Sequence, residues 1–139
     1  MKLAVLDTGP VVAWLRADDA DHVASMTAIK RSAGEGRVLA TTWEVIGEAY
    51  TLIRYRFARD ATPALEVLRW AETINVLSTE GEDRARAHGI LSRHRDLRLS
   101  YVDALLLAVS ERRRADEIVT LDHELTAVRL APPVHVTVV

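Results

Sequence analysis

The sequence contains no cysteine, and this absence removes several kinds of chemistry. A chain without thiols forms no disulfides, has no cysteine nucleophile and offers no cysteine-ligated zinc site. No apolar run approaches the roughly 20 residues needed to cross a bilayer. The Met1-Lys2 start leads into a short apolar run that stops at Asp7, which is unlike a signal peptide. We therefore expect a cytoplasmic protein that does not associate with membranes.

Several well-known catalytic motifs are also missing. The six glycines are scattered and form neither a dinucleotide-binding fingerprint nor a phosphate-binding loop. The five histidines give no H-E-x-x-H zinc motif, and no serine lies in a G-x-S-x-G elbow. A phosphotransfer receiver domain needs a lysine after a late strand, whereas the only lysines are Lys2 and Lys30. A phosphatase of the haloacid dehalogenase type needs a second aspartate where Gly9 stands.

Short apolar stretches alternate with amphipathic ones along the 139 residues. A chain of this length is expected to form a single domain, residues 1–139. Strand-like stretches alternating with helical ones predict a three-layer α/β/α domain with a central, mostly parallel sheet. The expected strands are residues 2–6, 38–40, 74–77, 118–120 and 134–139. The expected helices are residues 11–16, 22–31, 41–59, 62–70, 82–94 and 100–114.

Two aspartates follow expected strands. Asp7 comes directly after the first strand, and Asp122 comes just after the strand at residues 118–120. Ligands of open α/β sheets bind at the carboxyl ends of the strands. An aspartate after a strand is also a common turn former or helix cap. If the two strands are neighbours, however, both carboxylates face one crevice.

Three further acids lie in the first two turns of expected helices. Asp103 follows Ser100 by three residues, which predicts a capping box. Glu44 follows Thr41 by three residues, which predicts a second capping box. Glu48 lies one turn deeper on the same helix face, has no such partner and borders an apolar stripe, where a carboxylate needs a ligand or a partner.

Converging carboxylates repel one another and raise each other's pKa, and a divalent cation relieves this repulsion. Mg²⁺ and Mn²⁺ prefer hard oxygen ligands and suit phosphoryl chemistry. The net charge is −2, yet residues 84–114 hold eight arginines against three acids. Arginine binds phosphate better than lysine does, because its planar guanidinium group can donate two hydrogen bonds at once. We therefore expect a phosphodiester substrate, with the residue run 112–114 contributing to the affinity for it.

The first half of the chain resembles a known family, the PIN domains, and within it the VapC-type toxins of type II toxin–antitoxin systems. The opening LAVLDTGPVVAWL is similar to the family's strand–acid–helix start, which places Asp7 at its first acid. The stretch TTWEVIGEAYTLI resembles the second motif and places the acid on Glu48 rather than on Glu44.

The second half carries the other two motifs of the resemblance. SYVDALLLAV matches the third motif, with Asp103 as its acid. VTLDHEL resembles the fourth and weaker motif, and it places the acid at Asp122, with Glu124 as an alternative. The order and spacing of all four motifs are specific, whereas each motif alone is weak.

The resemblance implies an endoribonuclease that uses Mg²⁺ or Mn²⁺, cuts single-stranded RNA, often forms a homodimer and is held inactive by a cognate antitoxin. Thr8 and Thr120 are candidate supporting hydroxyls. Gly9 stands where many relatives carry serine, and Leu125 stands where an aromatic residue is common. Two other functions stay open: a catalytically idle RNA-binding module and an RNA-maturation nuclease without an antitoxin. The metal ligands implied are Asp7, Glu48, Asp103 and Asp122.

Overall fold

A parallel five-stranded sheet forms the centre of the computed structural model, which describes residues 2–139. The strands follow the spatial order β3-β2-β1-β4-β5, and every neighbouring pair is parallel. Six helices flank this sheet, so the predicted three-layer α/β/α architecture is confirmed. The strands are β1 (Leu3–Leu6), β2 (Val38–Thr42), β3 (Asn75–Leu77), β4 (Glu117–Thr120) and β5 (His135–Val138).

The first three connections between strands are pairs of helices, as parallel pairing requires a crossover. The helices are α1 (Thr8–Leu15), α2 (His22–Gly34), α3 (Trp43–Arg56), α4 (Thr62–Ala71), α5 (Gly81–Arg93) and α6 (Tyr101–Arg112). A short 3-10 helix, His123–Ala127, follows β4. Within residues 2–139, no helix combines the length and the apolar character needed to span a bilayer.

The order of the strands creates a crevice at one edge of the sheet. The chain passes from β1 to β2 on one side, and it later returns to place β4 on the other side of β1. Ligands of doubly wound sheets bind at such a reversal point, outside the carboxyl ends of the two strands. Because β1 and β4 are neighbours, the residues that follow them, Asp7 and Asp122, lie at this reversal point.

Helix α6 is enclosed by the rest of the protein. Every side chain from Ala104 to Ser110 is buried, and four consecutive core residues, Leu105 to Ala108, are at most 2% exposed. A helix that is apolar on all sides belongs in a core. Asp103 in the first turn of α6 is therefore held by a packed element rather than by a loop.

The structure corrects the predicted start of the long helix. Thr41 was expected to open it, but Thr41 lies within β2, and its hydroxyl donates to the carbonyl of Leu6 at 2.8 Å. Thr42 is the cap, since its hydroxyl accepts from the Val45 amide at 3.2 Å. The predicted capping box between Thr41 and Glu44 is therefore wrong.

The arginine run at the end of α6 also differs from expectation. The Nε of Arg112 donates to Oδ1 of Asp83 at 2.8 Å, and Asp83 is only 1% exposed. Burial alone would raise the pKa of Asp83, but hydrogen bonds and the positive charge of Arg112 hold it below its usual value. Arg112 therefore stabilises the fold, a role that the prediction of an RNA-binding run did not include.

We predict that Arg112→Ala destabilises the protein, because it leaves the buried Asp83 carboxylate without its cation. The expected loss in the free energy of unfolding is roughly 1 to 3 kcal/mol. Urea denaturation with an unchanged m-value measures it. Arg113→Ala is the matched control, since Arg113 is exposed and takes part in no described ion pair. Equal stability of the two variants would contradict the structural role of Arg112.

Candidate active site

Asp7 is the most deeply buried acid at the crevice, with 5% of its surface exposed. Its Oδ1 accepts from the Thr8 amide at 2.8 Å, which caps α1. Its Oδ2 accepts from the hydroxyl of Thr120, the last residue of β4, at 2.7 Å. The same hydroxyl accepts from the amide of Asp122 at 2.9 Å. Thr120 thus ties the ends of β1 and β4 together, which supports its predicted role.

Asp103 serves as a helix cap and also faces the crevice. Its Oδ2 accepts from the Ser100 amide at 2.8 Å, and the Ser100 hydroxyl accepts from the Asp103 amide at 3.0 Å. The predicted capping box is confirmed. The carboxylate also lines the same cavity as Asp7, so the two roles coexist.

The side chains of Glu44 and Glu48, the two glutamates of α3, lie in different places. Glu48 lines the cavity, whereas Glu44 turns toward the end of β3, where it accepts from the Thr79 hydroxyl at 3.3 Å. The structure therefore separates the two residues as the motif register implied. Leu52, one turn after Glu48, also lines the cavity. Sequence reasoning missed Leu52, although its spacing of four residues from Glu48 placed it on the same helix face.

The two candidates for the fourth acid, Asp122 and Glu124, lie in different places. Asp122 lines the cavity, and its Oδ1 accepts from the Glu124 amide at 2.9 Å. Glu124 does not line the cavity; its Oε2 accepts from the amide of Arg98 at 2.9 Å. Asp122 is thus the fourth acid at the crevice, and Glu124 holds a neighbouring loop.

The four predicted acids surround one open cavity of about 410 Å³. They reach it from the ends of β1 and β4 and from the first halves of α3 and α6. Thr8 also lines the cavity, and its hydroxyl is buried and has no hydrogen-bond partner among the described residues. The lining residues are Asp7, Thr8, Gly9, Glu48, Leu52, Asp103, Leu121 and Asp122.

Gly9 is required by close packing against this cavity. A Cβ atom at position 9 would lie 2.8 Å from Cδ1 of Leu121, which is far inside van der Waals contact. A serine at position 9, the residue common among relatives, would force the Leu121 side chain to move. Gly9 and Leu121 are therefore a matched pair in this chain.

Two of the cavity carboxylates, Asp7 and Asp103, have a raised pKa. Burial, followed by repulsion from Asp103 and Glu48, raises the pKa of Asp7 to about 6, although hydrogen bonds from Thr120 and Thr8 act in the opposite direction. Burial, together with repulsion from Asp122 and Glu48, also raises the pKa of Asp103 against the two hydrogen bonds from Ser100. The four acids thus form one electrostatic unit.

Other buried carboxylates in the protein have arginine partners. Glu117 accepts from Arg31 at 3.1 Å and from the Ser32 hydroxyl at 2.5 Å. Burial would raise its pKa, but these hydrogen bonds and the positive charges lower it. Asp83 has Arg112. None of the four cavity acids takes part in an ion pair within residues 2–139.

The donor set fits a hard divalent cation. Mg²⁺ usually keeps several waters and binds through one or two carboxylates plus substrate phosphate, rather than in a closed cage. No group of three or more acidic or histidine side chains within residues 2–139 is placed to hold a metal ion, so water and substrate phosphate would have to supply the other ligands. An open cavity lined by four unpaired carboxylates and a free hydroxyl suits such a hydrated ion.

Comparison with known proteins identifies the family. The sequence model of the PIN domain matches residues 4–130, and the chain therefore belongs to the PIN domain family. No curated protein matches the sequence.

Solved structures with the same fold include toxins and toxin–antitoxin complexes. VapC20 of Mycobacterium tuberculosis, a toxin that cleaves the sarcin-ricin loop, is 24% identical, with a TM-score of 0.73 over 89% of this chain and 93% of that chain. VapBC2 of Rickettsia felis, solved with promoter DNA, is 11% identical, with a TM-score of 0.74 over 99% and 98%. FitAcB of Neisseria gonorrhoeae is 13% identical, with a TM-score of 0.64 over 96% of each chain.

We predict that Asp7→Asn does not destabilise the metal-free protein near pH 7. The pKa of Asp7 rises from 3.8 to about 6 on folding, so its ionisation opposes folding. That cost is absent below pH 3.8, grows between the two pKa values and is complete above about pH 6. The amide keeps the Thr8 contact and can donate to Thr120.

The expected gain for Asp7→Asn in EDTA is up to roughly 2 to 3 kcal/mol near pH 7, and it shrinks toward about pH 4.5. Melting temperatures across this range measure it. Asp96→Asn, at an exposed position outside the cavity, is the control and should show no such pH dependence. A clearly lower melting temperature for Asp7→Asn near pH 7 would contradict the shared electrostatic site.

Proposed function

We propose that this protein is an endoribonuclease that uses Mg²⁺ or Mn²⁺ to hydrolyse phosphodiester bonds of single-stranded RNA. One observation carries the proposal: four carboxylates from four separate elements line one cavity, and none has a cationic partner in the described chain. Membership of the PIN domain family and the fold shared with VapC20, a toxin that cleaves the sarcin-ricin loop, support it.

The proposal gives a role to the acids and to the threonines at the cavity. Asp7, Glu48, Asp103 and Asp122 would hold the ion. When bound, the metal would activate a water molecule and stabilise charge on the scissile phosphate. Thr120 keeps the Asp7 carboxylate oriented through its hydroxyl. The unpartnered hydroxyl of Thr8 can donate to a phosphate oxygen in the cavity.

We expect the purified protein to cut single-stranded RNA with Mn²⁺ or Mg²⁺ and to stop cutting in EDTA. Glu48→Gln should lower the cleavage rate by about two orders of magnitude, whereas Glu44→Gln should retain it, because Glu44 lies outside the cavity. Mn²⁺ should also raise the melting temperature of the parent more than that of Glu48→Gln, since a ligand that binds the folded state stabilises it.

Three results would count against this function. Undiminished cutting in EDTA by a preparation free of contaminating nuclease would exclude the metal requirement. Equal activity of the two glutamine variants at equal folded fraction would show that Glu48 is not a ligand. RNA binding without any metal-dependent cleavage would favour the idle RNA-binding module instead.

We also propose that the protein acts in the cytoplasm as the toxin of a toxin–antitoxin pair, and that a cognate antitoxin covers part of its surface. Helices α3 and α4 expose large apolar side chains on their outer faces, which is typical of protein interaction surfaces. This apolar face continues to the cavity at Leu52. Neighbours in structure include toxin–antitoxin complexes. The exposed side chains are Leu52, Tyr55, Leu65 and Leu68.

Co-expression with the protein encoded beside this gene tests the antitoxin. We expect a stable complex with suppressed RNA cleavage, and we expect Leu65→Ser combined with Leu68→Ser to weaken it by about tenfold or more. Size-exclusion chromatography of the free protein tests the homodimer in the same series. A complex that cuts RNA at the rate of the free protein would refute inhibition by blocking and would favour an RNA-maturation nuclease.

A further inference from the structure

The connection between α5 and α6 carries a local excess of positive charge. Residues 93–98, named here the basic segment, contain three arginines and the single carboxylate Asp96. Arg93, Arg95 and Arg98 are all exposed. None of them takes part in an ion pair within residues 2–139, whereas Arg112 is bound to Asp83. These guanidinium groups are therefore available to a partner.

Hydrogen bonds fix the basic segment beside the cavity at two points. Oε2 of Glu124 accepts from the Arg98 amide at 2.9 Å, and the amide of Glu124 itself donates to Asp122 at 2.9 Å. Two residues after Arg98, the Ser100 amide donates to Asp103 at 2.8 Å. The two acids that contribute these contacts, Asp103 and Asp122, line the cavity.

The surface of the basic segment suits a polyanion better than a protein. Its apolar side chain, Leu97, and the following Leu99 are partly buried and pack against the core. The segment has no large exposed apolar side chain, whereas protein interfaces are rich in aromatic anchors. Arginine forks match phosphate oxygens in a bidentate manner.

We propose that the basic segment binds the phosphates that flank the scissile bond in single-stranded RNA. This inference rests on the proposed function, because it identifies residues that bind the substrate of the same site. Glu124 is a positioning residue in this arrangement, since it holds the backbone at Arg98 without touching RNA. The four cavity acids repel RNA, and the arginines beside them supply the compensating attraction.

The test measures RNA binding as a function of salt. A fluorescein-labelled single-stranded RNA of mixed sequence is titrated with the full-length protein in the Asp7→Asn background, so that the RNA stays intact. Replacing all three arginines of the segment by alanine should make the slope of log K against log salt shallower. The expected change is about 0.7 for each lost phosphate contact, or about 2 in total.

A charge-matched control separates this effect from general electrostatics. Three other exposed cationic residues without a described ion pair, which lie in α2, after α3 and after the 3-10 helix, are replaced together: Lys30, Arg59 and Arg129. This control changes the net charge by the same amount and should leave the slope nearly unchanged. Equal slopes for the two triple variants would overturn the proposal.

A second variant series tests the positioning role of Glu124. Glu124→Ala removes the acceptor for the Arg98 amide and should weaken RNA binding by about five-fold. Glu124→Gln keeps an amide oxygen in the same place and should restore the affinity of the background protein. If both variants weaken binding equally, the loss comes from disturbed folding, because removing a negative charge would strengthen RNA binding, and the positioning role is wrong.

The remaining outcomes distinguish this inference from the proposed function. If the parent cleaves RNA with Mn²⁺ and the salt slope is unaffected by the arginine changes, the function stands and the basic segment is not the RNA contact. If the slope falls while the parent does not cleave, the basic segment is an RNA contact and the nuclease assignment fails. Loss of the antitoxin complex with an unchanged slope would identify the segment as a protein interface and refute the proposal.

Discussion

The burial of the Asp7 carboxylate at the end of β1 is the constraint on which the crevice depends. One of its oxygens caps α1, and the other accepts from Thr120 at the end of β4. Because Thr120 also accepts from the amide of Asp122, the position of the fourth acid follows from the same contact. The order of the strands supplies the crevice, and this set of hydrogen bonds fixes the acids within it.

The buried and partly buried acids have two kinds of hydrogen-bond partner. Glu117 and Asp83 receive arginines, which neutralise them locally and lower their pKa. Asp7 and Asp103 receive only backbone amides and hydroxyl groups, which orient a carboxylate without cancelling its charge. Their raised pKa values are the stability cost of that choice. Perturbed pKa values of residues in a cleft are typical of functional sites.

Local sequence patterns predicted the fold class, the strand after which each aspartate lies, and the separation of Glu48 from Glu44. These features depend on the periodicity of one element or on a known motif. The errors came from contacts between distant parts of the chain. Thr41 stays in β2 because its hydroxyl binds the carbonyl of Leu6, 35 positions away, and Arg112 pairs with Asp83, 29 positions away. No local pattern contains either contact.

The supports of the cavity and those of the basic segment overlap. Asp103 lines the cavity and accepts from the Ser100 amide. Glu124 donates its amide to Asp122 and accepts from the Arg98 amide, so it connects the cavity to the basic segment. Charges of opposite sign are thereby held side by side without forming ion pairs within the described chain. Direct pairing would neutralise both groups and leave neither available to a cation or to a phosphate. Hydrogen bonds to backbone amides avoid this neutralisation, because they fix the position of each element and leave the charges of its side chains unpaired.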